Sequence, residues 1–134
     1  MRPLAGTDLV YIPRVAERLA KANADRFLAR ILTPAEIAYC AGRADKVAGC
    51  YAAKEAVAKA LGTGIWGAGG VDFKDIELER DEAGKPFIRL SGKALSAATA
   101  LGVTAQDISI SHDGDYAIAF CVMLVNNSSE SSKQ

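Results

Sequence analysis

The periodicity of this chain changes once, at a stretch that holds five glycines between positions 62 and 70. Ahead of that stretch the signals are helical. Pro13 suits a first helical position, and Arg14, Arg18 and Lys21 recur at i, i+4 and i+7, the spacing of one helical face. Thr33-Pro34-Ala35-Glu36 is a capping box with proline at N1. Asp45 is placed to cap the next helix, which runs through KVAGCYAAKEAVAKAL and stops at Gly62. Behind the glycines the pattern is that of strands. Ile76–Arg80 alternates, Asp81–Lys85 is turn chemistry, and Phe87–Leu90 returns as the second strand of a hairpin. A helix is expected over 92–101, ending at Gly102, and then two strands joined by Asp113-Gly114-Asp115. Leu4–Val10 forms a short early strand interrupted by Gly6. Helices first and a meander of strands afterwards predict an α+β fold, with N-terminal helices packed on a mostly antiparallel sheet.

The length of 134 residues suits one domain, expected over 1–125. Residues 126–134, NNSSESSKQ after Val125, hold nothing to bury and are expected to be disordered. No apolar run approaches the roughly 18 residues of a membrane span, and MRPLAGTDLV lacks a signal-peptide core, so a cytoplasmic protein without membrane attachment is expected. Cys40, Cys50 and Cys121 fall at no metal-ligand spacing and read as reduced thiols. Net charge is zero but unevenly placed: residues 1–60 carry ten Lys/Arg against six Asp/Glu, and residues 61–134 six against ten. A basic front half can steer an acidic partner or hold phosphates, or simply be a solvated surface.

Within the glycine stretch, GTGIWG matches G-x-G-x-x-G. A dinucleotide fingerprint needs a strand before it and a helix opening after it. Here it follows the end of a helix and leads into a strand, so the dinucleotide reading is rejected. No Lys-Ser or Lys-Thr follows at P-loop spacing either. Gly62 and Gly64 remain able to offer backbone N–H groups to a ligand, or only to end a helix.

Glu55 and Lys59, at i and i+4, share a helix face just before those glycines. They can be a surface ion pair. They are also what a Mg²⁺–diphosphate ligand requires, a carboxylate for the hard cation and an ammonium for the phosphate charge. One carboxylate is a poor magnesium site, and Asp8, the only acid in its strand, is the best second one. Ser111 and His112 are sequence neighbours in a strand, so their side chains face opposite ways, which argues against a Ser–His catalytic pair.

In order along the chain, GTDLVYIPRV, RILTPAEI, YAAKEAVAKALGTGI, DEAGKPFIRLSG and ISISHDGDYAIAF resemble the holo-acyl-carrier-protein synthases, the small form of the 4′-phosphopantetheinyl transferases. The resemblance covers nearly all of residues 4–124. It implies transfer of the 4′-phosphopantetheine arm of coenzyme A to a serine of an apo acyl carrier protein, with release of adenosine 3′,5′-bisphosphate. It places Asp8 and Glu55 on the family's Mg²⁺ ligands and Lys59 on its catalytic lysine, with the general base either Glu55 or a metal-ordered water. It assigns Gly62, Thr63, Gly64, Lys85, Pro86, Ser111 and His112 to coenzyme A, and Arg14, Arg18 and Lys21 to the acidic carrier. It implies a homotrimer with active sites at the interfaces, and no nucleic acid. One departure stands out: Cys50 occupies a position where the family commonly has arginine, for which Arg43 and Lys46 are the available substitutes. A competing reading takes that departure as lost activity, leaving a non-catalytic module that binds coenzyme A or the carrier.

Overall fold

The computed structural model describes residues 1–67 and 69–126. The order is β1 (Arg2–Tyr11), α1 (Ile12–Leu19), α2 (Ala24–Ile31), α3 (Pro34–Cys40), α4 (Ala44–Leu61), a 3₁₀ turn (Phe73–Asp75), β2 (Ile76–Arg80), β3 (Pro86–Leu90), α5 (Gly92–Leu101), β4 (Val103–Asp113) and β5 (Tyr116–Val125). The fold is α+β, as expected. β1, β5 and β4 form one antiparallel sheet in that spatial order, and β2 pairs with β3 in an antiparallel hairpin.

The organising element is α4. Its apolar residues lie on nearly every side, including Val47, Ala52, Ala53, Ala56, Val57 and Ala60, all buried. A helix apolar all round belongs inside. Small side chains let it lie close on the sheet, and the closest approach is at Gly6 of β1. A Cβ there would stand 1.9 Å from the Ala56 carbonyl oxygen, so only glycine fits. The glycine that seemed to interrupt the strand is where the helix crosses it. On the sheet, Ala117, Ala119, Cys121 and Met123 of β5 face α4, while Tyr116, Ile118, Phe120 and Leu124 face outward.

Local chemistry fixes several ends. At α3, Thr33 Oγ1 accepts from the Glu36 N–H at 3.3 Å and Glu36 Oε1 accepts from the Thr33 N–H at 2.8 Å, the capping box read from the sequence. Gly62 ends α4 with φ of 76°. In the β2–β3 turn, Asp81 Oδ1 accepts from the N–H groups of Ala83 and Lys85.

Three expectations need correction. Asp45 is not the cap of α4: Arg43 is the N-cap residue, and the Asp45 carboxylate in the first turn accepts from the Arg43 guanidinium at 2.7 Å. The helix after Pro13 stops at Leu19, so Lys21 lies in the turn before α2. That reversal brings Phe27 of α2 beneath Arg18, whose guanidinium sits 4.4 Å from the ring centroid. Asn126, expected in the polar tail, donates its N–H to the Gly102 carbonyl at 2.9 Å; the rest of the tail, 127–134, lies outside the described residues.

Candidate active site

Asp8 comes from β1 and Lys59 from the last turn of α4, fifty-one positions later, joined because Gly6 lets the helix cross the strand. Lys59 Nζ donates to Asp8 Oδ1 at 3.1 Å and to the Thr7 carbonyl at 2.9 Å. The lysine is half exposed and Asp8 is 18% exposed, so the pair sits at a rim, neither dissolved nor sealed. One turn back on α4, Glu55 is half-buried beside it. Burial, and then the Asp8 carboxylate, push the Glu55 carboxyl above its ordinary range, against the pull of Lys59. A carboxylate whose charge is disfavoured by burial and by a neighbouring acid, with an ammonium alongside, can hold a hard dication and the anion it carries. Among the described residues no group of three or more His, Cys, Asp or Glu side chains gathers for a metal. Asp8 and Glu55 are the two carboxylates at this opening, and such a pair would fit a hard cation such as Mg²⁺, which needs few protein ligands.

Asp8, Glu55 and Lys59 line one cavity of about 730 Å³, together with Arg14, Glu17, Arg18, Lys21, Phe27 and Tyr51. All three residues expected to do chemistry and all three expected to meet the carrier thus share one opening. Lys21 reaches it from the turn after α1 rather than from a helix face. Sequence reasoning missed Tyr51 and Phe27. Tyr51 precedes Glu55 by one turn, and burial followed by the Glu55 charge pushes its phenol upward. The i, i+4 spacing that linked Glu55 to Lys59 was the available signal.

The residues expected to hold coenzyme A do not all join that cavity. Gly62 and Gly64 have φ of 76° and 65° and follow directly on α4, with Thr63 Oγ1 bonded to the Gly64 carbonyl at 3.0 Å. Lys85 and Pro86 line a separate cavity of about 470 Å³ against β4 and β5, where Lys85 pairs with Asp107 at 2.8 Å. Ser111 faces outward from the sheet, in register with Ile118. His112 turns inward and its Nε2 donates to the Asp45 carbonyl at 3.0 Å, with Gly49 leaving room for the ring. Arg43 and Lys46 lie at that same end of α4, Arg43 paired with Asp45 and Lys46 stacked 4.5 Å over Tyr39. Cys50 is buried against Cys40, away from every cavity surface described above.

Lys54, beside Glu55 in sequence, takes no part in the opening. It is fully buried and donates to Glu36 Oε1 at 2.6 Å and to the carbonyls of Ile31 and Phe73. Glu36 Oε2 in turn accepts from the Leu78 N–H at 2.8 Å. Every polar group of this internal pair is satisfied, and it ties α2, α3 and β2 to the turn of α4 that presents Glu55.

Residues 5–121 match the family model described as the 4′-phosphopantetheinyl transferase superfamily. The chain is 49% identical over 119 residues to a holo-[acyl-carrier-protein] synthase of Solidesulfovibrio magneticus, covering 88% of this chain and 94% of that relative. It is 43% identical over 121 residues to the synthase of Koribacter versatilis, with the same coverage. The Helicobacter pylori holo-[acyl-carrier-protein] synthase in complex with coenzyme A superposes with a TM-score of 0.79 at 36% identity, over 90% of this chain and all of that one. A Plasmodium yoelii holo-ACP synthase superposes with a TM-score of 0.77 at 28% identity, over 95% of this chain and all of that one. On this sequence match and shared architecture, the chain belongs to the 4′-phosphopantetheinyl transferase superfamily.

Proposed function

We propose that the chain is a holo-acyl-carrier-protein synthase of one domain, residues 1–125, working in the cytoplasm. It transfers 4′-phosphopantetheine from coenzyme A to a serine of an apo acyl carrier protein. The observation that carries this is the joining of Asp8, Glu55 and Lys59 at the rim of one cavity whose other wall is basic. Asp8 and Glu55 would hold Mg²⁺, which when bound would supply charge neutralisation at the diphosphate of coenzyme A. Lys59 places its ammonium on the same diphosphate. The serine hydroxyl loses its proton to Glu55 or to a water beside it as its oxygen bonds to phosphorus and the bridging phosphorus–oxygen bond breaks, and Lys59 stabilises the charge that develops on the departing adenosine 3′,5′-bisphosphate. Arg14, Arg18 and Lys21 attract the acidic carrier and orient its serine toward Asp8 and Glu55. Tyr51 narrows the opening beside Glu55.

The remaining coenzyme A contacts come from a second copy. The outer sheet face carries Leu9, Ile118, Phe120 and Leu124, all exposed, in a contiguous apolar patch. Such a patch supports burial against other copies in a homotrimer. Ser111 lies on that face, and Lys85 and Pro86 open at its flank, so copies packed there bring these residues toward a neighbour's Asp8 and Glu55. Gly62, Thr63 and Gly64 serve the ligand from the end of α4, and Arg43, Lys46 and His112 from its beginning. The cytoplasmic assignment is supported by three cysteines that are all free thiols. No helix among the described residues is long and apolar enough to cross a membrane.

The test is to incubate the protein with coenzyme A, Mg²⁺ and an apo carrier protein and weigh the carrier. A gain of one phosphopantetheine, abolished by a chelator and restored by Mg²⁺, supports the enzyme. Carrier binding with no gain in mass supports a non-catalytic module.

A further inference from the structure

Cys40 is the last residue of α3 and Cys50 lies in α4, and their Sγ atoms are 3.8 Å apart in the core. Both are about 1% exposed. Neither touches the cavity lined by Asp8 and Glu55, and nothing in the transfer reaction uses them. Two features make this more than apolar filling. First, the two sulfurs lie within hydrogen-bonding distance, and that contact lowers the Cys40 thiol and raises that of Cys50, with burial adding to the rise. Lys46 and Arg80, which stack on the neighbouring Tyr39 ring at 4.5 and 4.7 Å, pull Cys40 in the same direction, while burial and Glu36 oppose them. Second, the chain turns sharply at this point. α3 is seven residues long, and Cys40 is followed by Ala41 at φ of 49° and Gly42 at 74°. The end is capped, the Ala41 N–H donating to the Ile37 carbonyl and the Arg43 N–H to the Cys40 carbonyl; the left-handed Ala41 stores backbone strain, and local opening of this short helix end is the route by which a small oxidant would reach the sulfur.

We propose that Cys40 and Cys50 are a redox-responsive pair that closes into an intrachain disulfide, clamping the end of α3 onto α4. The oxidant class is a hydroperoxide. The Cys40 thiolate attacks a peroxide oxygen, forming an S–O bond as the O–O bond breaks; the departing hydroxide takes a proton and leaves as water. Cys50 then gives up its proton and attacks the Cys40 sulfur, displacing the second oxygen as water. Two thiols and one hydrogen peroxide yield one disulfide and two waters, with two electrons passing from sulfur to peroxide. A dithiol reverses it by exchange. The clamp acts on the turn of α4 just before Lys54 and Glu55, so oxidation stiffens the segment that presents the carboxylate.

The test uses the full chain. Thiols are counted in denaturant before and after brief exposure to hydrogen peroxide, with intact mass and melting temperature followed in parallel. The expected result is a fall from three thiols to one, loss of the mass of two hydrogens, and a peptide linking residues 40 and 50. Closure of so short a loop raises the melting temperature by roughly 10 °C, reversed by dithiothreitol. Cys50→Ser, and Cys40→Ala as a second variant, show no such rise. Retention of three thiols, uptake of oxygen without loss of hydrogen, or linkage to Cys121 or to a second chain overturns the proposal. So does a disulfide that leaves the melting temperature unchanged.

Discussion

The ammonium of Lys59, at the end of a helix, donates to the carboxylate of Asp8, on the first strand, at 3.1 Å, and to the Thr7 carbonyl at 2.9 Å. The pair is a rim contact, so its stabilising worth is small, about 0–1 kcal/mol. Its value lies in keeping a cation beside the acidic pair. Lys59→Met is expected to lower kcat by about 10²-fold and to shift the melting temperature little. Steady-state transfer alongside thermal unfolding checks this; a large loss of stability with normal kcat in the folded fraction would contradict it.

Glu55 supplies a pH test. Burial and the Asp8 charge raise its carboxyl in the folded chain. The folded state therefore holds that proton more tightly than the unfolded state does. At a pH below the ordinary glutamate range, about 4, both states are protonated and the group carries no penalty. As pH rises through the unfolded and then the folded value, the folded state must hold a charge it disfavours, and stability is lost. Glu55→Gln removes that penalty. The variant should unfold at a higher temperature than the parent at pH 7, with the gap closing below about pH 4. Equal melting curves at pH 7 would count against the crowded-carboxylate account.

Charge reversal at Arg14 and Arg18 tests the basic wall. The double variant Arg14→Glu with Arg18→Glu should raise KM for an acidic carrier about tenfold and flatten the dependence of kcat/KM on salt. KM for coenzyme A should stay where it was. A matched rise in both KM values would mean that these arginines serve the nucleotide instead.

Phe120 stands at the middle of the outward sheet face, in register with Thr7 and Ser109. Phe120→Asp places a charge in that apolar patch, where burial against another copy becomes costly. Light scattering should report a trimer for the parent and a monomer for the variant, and the monomer should lose coenzyme A affinity. An unchanged mass would place the subunit contact elsewhere.

Features that were legible in the sequence are those decided by chemistry within a few residues. The Thr33–Glu36 box, the Gly62 stop and the Asp81–Lys85 turn each satisfy their own backbone groups, so the pattern alone fixes them. Asp45 misled because a carboxylate one residue inside a helix looks like a cap, and Arg43 had claimed it. The break after Leu19 carries no glycine or proline, and the turn that follows it lays Phe27 beneath Arg18, a contact nine residues apart that local patterning does not reveal. In the site, Glu55 and Lys59 were readable as one helix face. Their meeting with Asp8 depends on Gly6, whose role appears only when α4 lies across β1. Lys54 is the clearest case of a residue whose purpose the pattern hides: it adjoins Glu55 in YAAKEAVAKALGTGI, yet it is fully buried and bonded to Glu36.

As proposed, Glu55 is a residue that the transfer reaction needs and the fold does not. The most direct measurement is the mass of an apo carrier after one round of incubation with coenzyme A, Mg²⁺ and either the parent or Glu55→Gln, with folding of the variant verified by its melting curve. The parent should add one phosphopantetheine to the carrier, and the folded variant should add none. Transfer by Glu55→Gln at the parent's rate would contradict the assignment.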